Sequence, residues 1–203
     1  MKYYLKEEFL NDTNAKNAGN KARNDVEKIV KKEGYQPLIL SVDDWYQMNI
    51  LRAQRHKAKA FAQVLNQLNK SDELLIQFPM LHHSFFTTHL VKKIQRKGVK
   101  VYLIIHDLEI LRNVNLASMP LKQKIRVRLQ ESSLLGAADG IVAHNPIMKS
   151  FLVKQGLSEK KIVSLDIFDY LIPSFIEKEK LCKEQPIIVA GNLAQEKAGY
   201  LYK

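Results

Sequence analysis

Residues 99–107 read VKVYLIIHD, a β-branched and aromatic run that ends in a histidine and an aspartate. A stretch this short and this apolar is typical of a strand buried on both faces in the centre of a parallel sheet. Gly98 stands directly before it and ends a helical pattern that begins near Phe85. We therefore expect His106 and Asp107 to lie at the carboxyl end of a central strand.

Strand-like and helix-like segments alternate on both sides of this run, which predicts crossover connections between parallel strands. The predicted strands are 2–5, 38–42, 74–78, 99–105, 140–143 and 162–165. The predicted helices are 22–32, 49–68, 85–96, 121–138 and 146–155. Helix 49–68 has its apolar positions at Leu51, Ala58, Phe61, Ala62, Leu65 and Leu68. This order predicts an α/β fold, a Rossmann-like doubly wound parallel sheet covered by helices on both faces.

The composition favours a folded protein of a reducing compartment. The 203 residues are 46% hydrophobic, enough for a core, and the single cysteine, Cys182, cannot form an internal disulfide. Lys6, Glu7 and Glu8 stand where a signal peptide needs an apolar run, and no stretch approaches the ~18 continuous apolar residues of a membrane span. We therefore expect a cytoplasmic protein.

A net charge of +11 is the most conspicuous feature of the composition, and such an excess attracts polyanions. Nucleic acid is not the expected partner, because the basic residues are not interleaved with exposed aromatic ones and no recognition motif appears. After Pro120, basic residues alternate with apolar ones: Leu121, Lys122, Lys124, Ile125, Arg126, Val127, Arg128 and Leu129. Two interpretations of this segment stay open, a solvated helix face and peripheral contact with an anionic membrane.

Polar residues follow the predicted strands, and in a doubly wound sheet ligands bind outside the carboxyl ends of the strands. These candidates are Asn17, Gly19, Lys21, Asp43, Asp44, His82, His83, His106, Asp107, His144, Asn145 and the segment 166–170. The histidines stand on different loops and lack the spacing of a metal site, so we expect no metal.

The two strongest candidate patterns each have a functional and a structural interpretation. The segment NAGNKARND places Asn17, Gly19 and Lys21 near a predicted helix start, where backbone N–H groups suit an anion, or where they form an ordinary Asn-Gly turn and helix cap. His106 and Asp107 suit a general base, or else a helix cap and a satisfied hydrogen bond.

Two further pairs are less specific. Asn145 stands directly before Pro146, a pattern typical of a helix start, so His144 and Asn145 are interpreted as structural. Phe168 and Asp169 belong to an aromatic–acid–aromatic cluster, which lines an interdomain cleft or packs in the interior.

A family resemblance rests on motifs taken in order. The chain contains NAGNKARNDVEKI, LLIQFP, VYLIIHDLEILR, GIVAHNPIMKSFLVKQG, LDIFDYLIP and IIVAGNLAQEKAGYL. In this order and spacing they resemble the bacterial galactofuranosyltransferases and the accessory glucosyltransferases of serine-rich adhesin glycosylation. The similarity spans nearly the whole chain, and it is carried by the order of the motifs rather than by any one of them.

The resemblance implies a GT-B glycosyltransferase, in which two Rossmann-like domains face each other across a cleft. The C-terminal domain would hold a UDP-sugar as donor substrate and the N-terminal domain the acceptor, with no metal and no other cofactor. The expected organisation is an N-terminal domain at 1–174, a linker at 175–186 that includes the charged run EKEKLCKE, and the start of a donor-binding domain at 187–203.

The resemblance also implies roles for particular residues. The loop from Asn17 to Lys21 and the pair His106–Asp107 would face the cleft from the acceptor side, and Gly191–Asn192 would begin the donor side. Asp107 is the first choice for the base that deprotonates the acceptor hydroxyl. The implied activity moves a hexosyl group from a UDP-sugar to a glycan or lipid-linked acceptor in cell-surface polysaccharide synthesis, at the inner membrane face.

The resemblance covers only the first part of such enzymes, which continue well beyond the position of Lys203. We therefore expect little transferase activity from the chain by itself, and a homo-oligomer or a partner chain in the working protein. The alternative function is a non-catalytic binding or assembly subunit with a glycosyltransferase-like fold.

Overall fold

The computed structural model describes residues 1–9, 18–42, 48–80, 87–108, 120–121, 124–125, 131–165 and 171. The chain divides into two compact units, Met1–Tyr170 and Leu171–Lys203. Of the second unit only Leu171 is among the described residues, so the predicted linker and second domain lie outside the described part of the chain. The domain limits expected from the sequence therefore stay predictions.

Strands and helices alternate along the first unit, as the sequence predicts. The strands are β1 Lys2–Phe9, β2 Gln36–Val42, β3 Glu73–Phe78, β4 Lys100–Ile105, β5 Gly140–Ala143 and β6 Ile162–Ser164. The helices with described ranges are α1 Ala18–Lys32, α2 Ile50–Gln67, α3 Thr87–Arg96, α4 Ser133–Ala137 and α5 Pro146–Lys154. A short 3-10 helix, Glu159–Lys161, leads into β6. No helix in these ranges is long and apolar enough to cross a membrane.

All six strands form one parallel sheet in the order β2-β1-β3-β4-β5-β6, which confirms the predicted α/β, Rossmann-like class. The chain first moves outward from β1 to β2 and then returns past β1 to β3, so the strand order reverses between β1 and β3. Reversal points of this kind are where open α/β sheets bind ligands, outside the carboxyl ends of the strands.

Two layers of apolar side chains cover the two faces of the sheet. On one face α1 packs Val26 and Val30 over Tyr4, Leu75 and Ile104. On the other face α2 to α5 bury a larger cluster that includes the strand residues Leu40, Ile76, Leu103, Ile105 and Ile141. Side chains alternate between the faces along a strand, so β4 contributes Ile104 to one layer and Leu103 and Ile105 to the other.

Helix α2 buries a different stripe from the one that its apolar pattern predicts. Phe61 and Leu68 are buried, but Leu51 is 77% exposed, and Ala58 and Ala62 are exposed as well. The buried stripe consists of Ala53, Ala60, Phe61, Val64 and Leu68. Alanines stand on both sides of this helix, and their one-carbon side chains fit buried and exposed positions alike. The apolar periodicity therefore does not show which face of α2 is buried.

Element boundaries differ from the predicted ones mainly around β1 and α1. Strand β1 continues to Phe9 instead of ending at Leu5, and α1 begins at Ala18 rather than at Ala22. Because Lys6, Glu7 and Glu8 are all charged, the sequence does not show that β1 continues through them and pairs with β2 along its length. Gly19 and Lys21 therefore belong to the first turn of α1, not to a loop before it.

Glycines end three of the helical stretches, as the sequence predicts. Gly34, Gly98 and Gly156 have φ angles of +85°, +82° and +91°. This left-handed conformation is easy for glycine and strained for residues with a Cβ. Each of these turns sends the chain from a helix toward the next strand.

Candidate functional site

Polar side chains collect at the carboxyl ends of β1, β3, β4 and β5, and we call this group the edge cluster. It consists of Glu7, Arg23, Gln77, His106, Asp107 and His144. Strand pairing explains why the two histidines meet, because Ile104 of β4 is paired with Val142 of β5 and each histidine stands two residues further on. Sequence positions nearly forty residues apart are thereby brought to one edge of the sheet.

Gln77 fixes the orientation of His106 through a directed chain of hydrogen bonds. The Gln77 side-chain amide donates to the backbone carbonyl of Arg23 at 3.4 Å, which leaves its oxygen as an acceptor. His106 Nε2 lies 2.6 Å from that oxygen, Oε1 of Gln77. Because an amide oxygen can only accept, the proton of the neutral imidazole sits on Nε2 and Nδ1 is the unprotonated nitrogen.

The two histidine rings stand edge to face, with centroids 6.1 Å apart and planes inclined by 67°. Burial, together with the charge of Arg23 and the neighbouring His144, lowers the pKa of His106 to about 4. Burial also lowers the pKa of His144, while the nearby Asp107 acts in the opposite direction. His106 is therefore a neutral imidazole at neutral pH, a weak base that can accept a hydrogen bond.

Arg23 supplies the positive charge of the cluster. Its guanidinium donates to the backbone carbonyl of Pro79, and Nη1 lies 4.0 Å from Oε2 of Glu7. The side chain of Glu7 is 6% exposed, so this ion pair is largely withdrawn from water. Burial lowers the pKa of Arg23, with Glu7 opposing that change, and guanidinium stays charged in proteins under ordinary conditions.

Asp107 follows His106 directly and completes the group. Its Oδ1 accepts a hydrogen bond of 2.9 Å from the backbone N–H of Leu108. A helix cap would accept from an N–H two or three residues on, and those residues lie outside the described part of the chain, so the capping interpretation stays a prediction. A carboxylate next to a neutral imidazole can orient a hydroxyl group and accept its proton, and a guanidinium in the same cluster can stabilise a developing anion.

The start of α1 lies at the same edge of the sheet, because a crossover helix runs antiparallel to its strands. Lys21 Nζ is 2.6 Å from Oδ2 of Asp25, whose side chain is 2% exposed and whose Oδ1 lies 3.9 Å from Nζ of Lys28. Lys21 is thus held against its own helix. Anion binding by Gly19 and Lys21 stays a prediction, and Asn17 lies outside the described residues.

Asn145 is structural, as the sequence indicated. Its side chain accepts a hydrogen bond of 2.8 Å from the backbone N–H of Met148, and Pro146 occupies the first turn of α5. The neighbouring His144, which the sequence placed in the same structural pair, belongs instead to the edge cluster through its contact with His106.

Three members of the edge cluster, Glu7, Arg23 and Gln77, were not singled out from the sequence. Gln77 carried a signal, because it is the one amide in the otherwise apolar run LLIQF and a buried amide needs partners. Arg23 and Glu7 carried no comparable signal, since a basic residue on a helix and an acidic residue near a strand end are ordinary surface patterns.

Several other predicted site residues cannot be placed. Asp43, Asp44, His82, His83, Phe168, Asp169, Gly191 and Asn192 lie outside the described residues. Among the residues that are described, no group of three or more His, Cys, Asp or Glu side chains could hold a metal ion.

Comparison with known proteins gives two findings. A family model described as the N-terminal domain of glucosyltransferase 3-like proteins matches residues 2–167. The chain is also 29% identical over 202 residues to the β-1,6-galactofuranosyltransferase WbbI of Escherichia coli strain K12, an alignment that covers 96% of this chain and 54% of that protein. The chain therefore spans about half the length of the curated relative that it matches.

Proposed function

The chain belongs to the glucosyltransferase 3-like family, and we propose from this membership that it forms the acceptor-side domain of a GT-B glycosyltransferase. The proposed reaction moves a hexosyl group, galactofuranosyl or glucosyl, from a UDP-sugar to a glycan or lipid-linked acceptor in cell-surface polysaccharide synthesis. The observation that carries the proposal is the match over 2–167, which contains the whole edge cluster.

The edge cluster supplies groups suited to this chemistry. In the proposed step the acceptor hydroxyl oxygen bonds to the anomeric carbon, the bond from that carbon to the UDP oxygen breaks, and UDP leaves with the electron pair. Asp107 takes the hydroxyl proton, and the neutral imidazole of His106 positions the sugar hydroxyl beside it. A general base of this kind contributes about a hundredfold to ten-thousandfold in rate.

The remaining partners follow from the same proposal. Gly191 and Asn192 would meet the UDP-sugar, Phe168 and Asp169 would line the cleft, and the first turn of α1 would receive an anionic group. The reaction as proposed needs neither a metal nor a cofactor besides the UDP-sugar donor.

The segment that follows Pro120 supports a peripheral position at the inner membrane face, and hence a cytoplasmic enzyme. Leu121 is 72% exposed and Ile125 is 48% exposed, one helical turn apart on the same side, with Lys124 beside them. Exposed apolar residues next to cations are typical of helices that lie on anionic membranes.

Reconstitution with a relative tests the proposal. The chain is mixed with the second half of the E. coli galactofuranosyltransferase, and transfer from UDP-galactofuranose and from UDP-glucose is followed by mass spectrometry of the acceptor glycan. The complete E. coli enzyme is the positive control and its second half alone is the blank. Transfer above the blank that disappears with Asp107→Asn supports the proposal.

The opposite outcome has a definite meaning as well. If the two halves form a stable complex on gel filtration but neither transfer a sugar nor bind UDP by calorimetry, the chain is not the acceptor half of an enzyme. The non-catalytic assembly subunit, in a homo-oligomer or with a partner chain, is then the function that remains.

A further inference from the structure

Helices α2 and α3 leave an apolar groove between them on the face of the sheet opposite α1. The groove has a volume of about 430 Å³. Its floor includes Leu51, Ala58, Ala62 and Leu65, and Leu51 is 77% exposed. A volume of this size is typical of pockets that enclose one small molecule or one hydrocarbon chain. The groove shares no residue with the edge cluster, which contains only polar and charged side chains.

Both helices that border the groove are strongly basic and carry no acidic residue. They contain seven cationic side chains, namely Arg52, Arg55, Lys57, Lys59, Lys92, Lys93 and Arg96. The acid-free stretches extend beyond the helices, over residues 45–71 and 74–106. Arg55 and Lys93 line the groove itself, one from each helix. A ligand with an apolar part and a negative charge complements this surface.

The composition of the surface favours lipid over protein as the occupant. Binding patches for proteins are enriched in exposed tyrosine and tryptophan and depleted in lysine. Here lysine supplies four of the seven cations on the two helices, and the aromatic residue of the groove, Phe61, is 5% exposed. A second copy that docked groove against groove in a two-fold symmetric contact would bring like charges together and be repelled. Apolar residues flanked by lysine and arginine are the pattern of surfaces that lie on anionic membranes.

We propose that the groove between α2 and α3 docks on an anionic phospholipid membrane. Leu51 and its apolar neighbours enter the acyl-chain boundary, and Arg55 and Lys93 lie at the level of the phosphate groups. Leu51 stands in the first turn of α2, at the carboxyl edge of the sheet where His106 also lies. The docked membrane therefore meets the edge at which a lipid-linked acceptor would be bound, and this last step alone rests on the proposed function.

Vesicle binding by the full chain tests the docking surface without donor or acceptor. Vesicles of phosphatidylglycerol mixed with phosphatidylcholine are compared with vesicles of phosphatidylcholine alone by co-sedimentation. Leu51→Glu is the main variant, because a carboxylate in the first turn of a helix favours folding while it repels the anionic surface. Ile147→Glu is the matched control, since Ile147 is 80% exposed and is likewise the second residue of its helix.

The expected result is binding to the phosphatidylglycerol vesicles that is at least roughly tenfold weaker for Leu51→Glu and nearly unchanged for Ile147→Glu. Arg55→Gln and Lys93→Gln should each weaken binding roughly fivefold, since each removes one cation from the headgroup level. Thermal unfolding of every variant verifies that the fold is kept.

Three results would overturn the proposal. The first is a parent chain that shows no preference for phosphatidylglycerol. The second is equal binding by Leu51→Glu and Ile147→Glu. The third is loss of binding in Leu121→Glu but not in Leu51→Glu. The first two leave the groove to an acidic amphipathic segment of a protein, and the third leaves the segment after Pro120 as the membrane contact without the groove. Since no sugar transfer is measured, failure here is distinguishable from failure of the proposed function.

Discussion

The direction of the hydrogen bonds around Gln77 determines which nitrogen of His106 carries the proton. The amide of Gln77 is oriented by the backbone carbonyl of Arg23, and its oxygen then receives the Nε2 proton of His106. Gln77 is in this sense a positioning residue, which acts through His106 rather than on a substrate. This positioning role of Gln77 can be tested without an activity assay.

Gln77→Leu should remove this control over the imidazole. We expect the parent to show the tautomer protonated at Nε2 in nitrogen-detected NMR of the His106 ring, and the variant to show a mixture of tautomers. Loss of the buried acceptor should also destabilise the fold by about 1 to 3 kcal/mol. An unchanged tautomer in Gln77→Leu would mean that another group fixes the ring.

The lowered pKa of His106 makes the stability of the fold depend on pH. The unfolded chain protonates this imidazole near the ordinary value of 6.5, whereas the folded chain does so only near a pKa of about 4. Between these values the unfolded state binds more protons, so the contribution of His106 to stability is complete above about pH 6.5 and falls as the pH drops toward about 4.

His106→Gln should remove this dependence while keeping a hydrogen-bond donor toward Gln77. Between about pH 8 and about pH 5 the parent should lose about 2 kcal/mol more unfolding free energy than the variant, by the linkage of protonation to folding. Urea unfolding at the two pH values measures the difference. Equal losses in the two proteins would show that His106 is not buried as a neutral ring.

The sequence predicts only part of the edge cluster, and the reason lies in the kind of contact involved. His106 and Asp107 are visible because they end a strongly apolar strand. Arg23 and Gln77 are members through contacts that span 54 residues of the chain, between α1 and β3. A residue pattern read along the chain describes neighbours within a few positions, and so it cannot show such a pair.

Helix ends are the elements for which local sequence is most informative. Asn49 and Asn145 both cap helices, with side-chain oxygens that accept from backbone N–H groups three residues on, at 2.9 and 2.8 Å. These contacts join residues only three positions apart in the sequence. Helix caps and glycine stops can therefore be predicted from local sequence. The buried face of α2 cannot, because it depends on the elements that pack against the helix.

Asn145→Ala should destabilise the protein by about 1 kcal/mol through loss of the cap on α5. Ile147→Ala, in the same first turn but 80% exposed, should change the unfolding free energy by less than about 0.5 kcal/mol. Thermal or urea unfolding of both variants checks this. A neutral Asn145→Ala would mean that water or another group satisfies the free N–H of Met148.

At the scale of the whole molecule, the sheet of the first unit carries the edge cluster and the basic groove at different places. Its carboxyl edge, beside α1, holds the edge cluster, and the opposite face carries the basic helices α2 and α3 with the groove between them. The alternation of strands and helices predicts the parallel sheet because crossover connections leave few other arrangements. The net charge of +11 does not show where the positive charge lies, whereas the packing of α2 and α3 brings cations of both helices to one groove.

The central claim is that the edge cluster works on the acceptor in glycosyl transfer, and one variant in the reconstituted assay tests it most directly. His106→Gln is compared with Val163→Ala, an exposed change on the edge strand β6. We predict that His106→Gln lowers the rate of sugar transfer about a hundredfold, because the acceptor hydroxyl loses the ring that positions it beside Asp107, and that Val163→Ala leaves the rate unchanged. Full transfer by His106→Gln would contradict the claim and place the chemistry elsewhere in the protein.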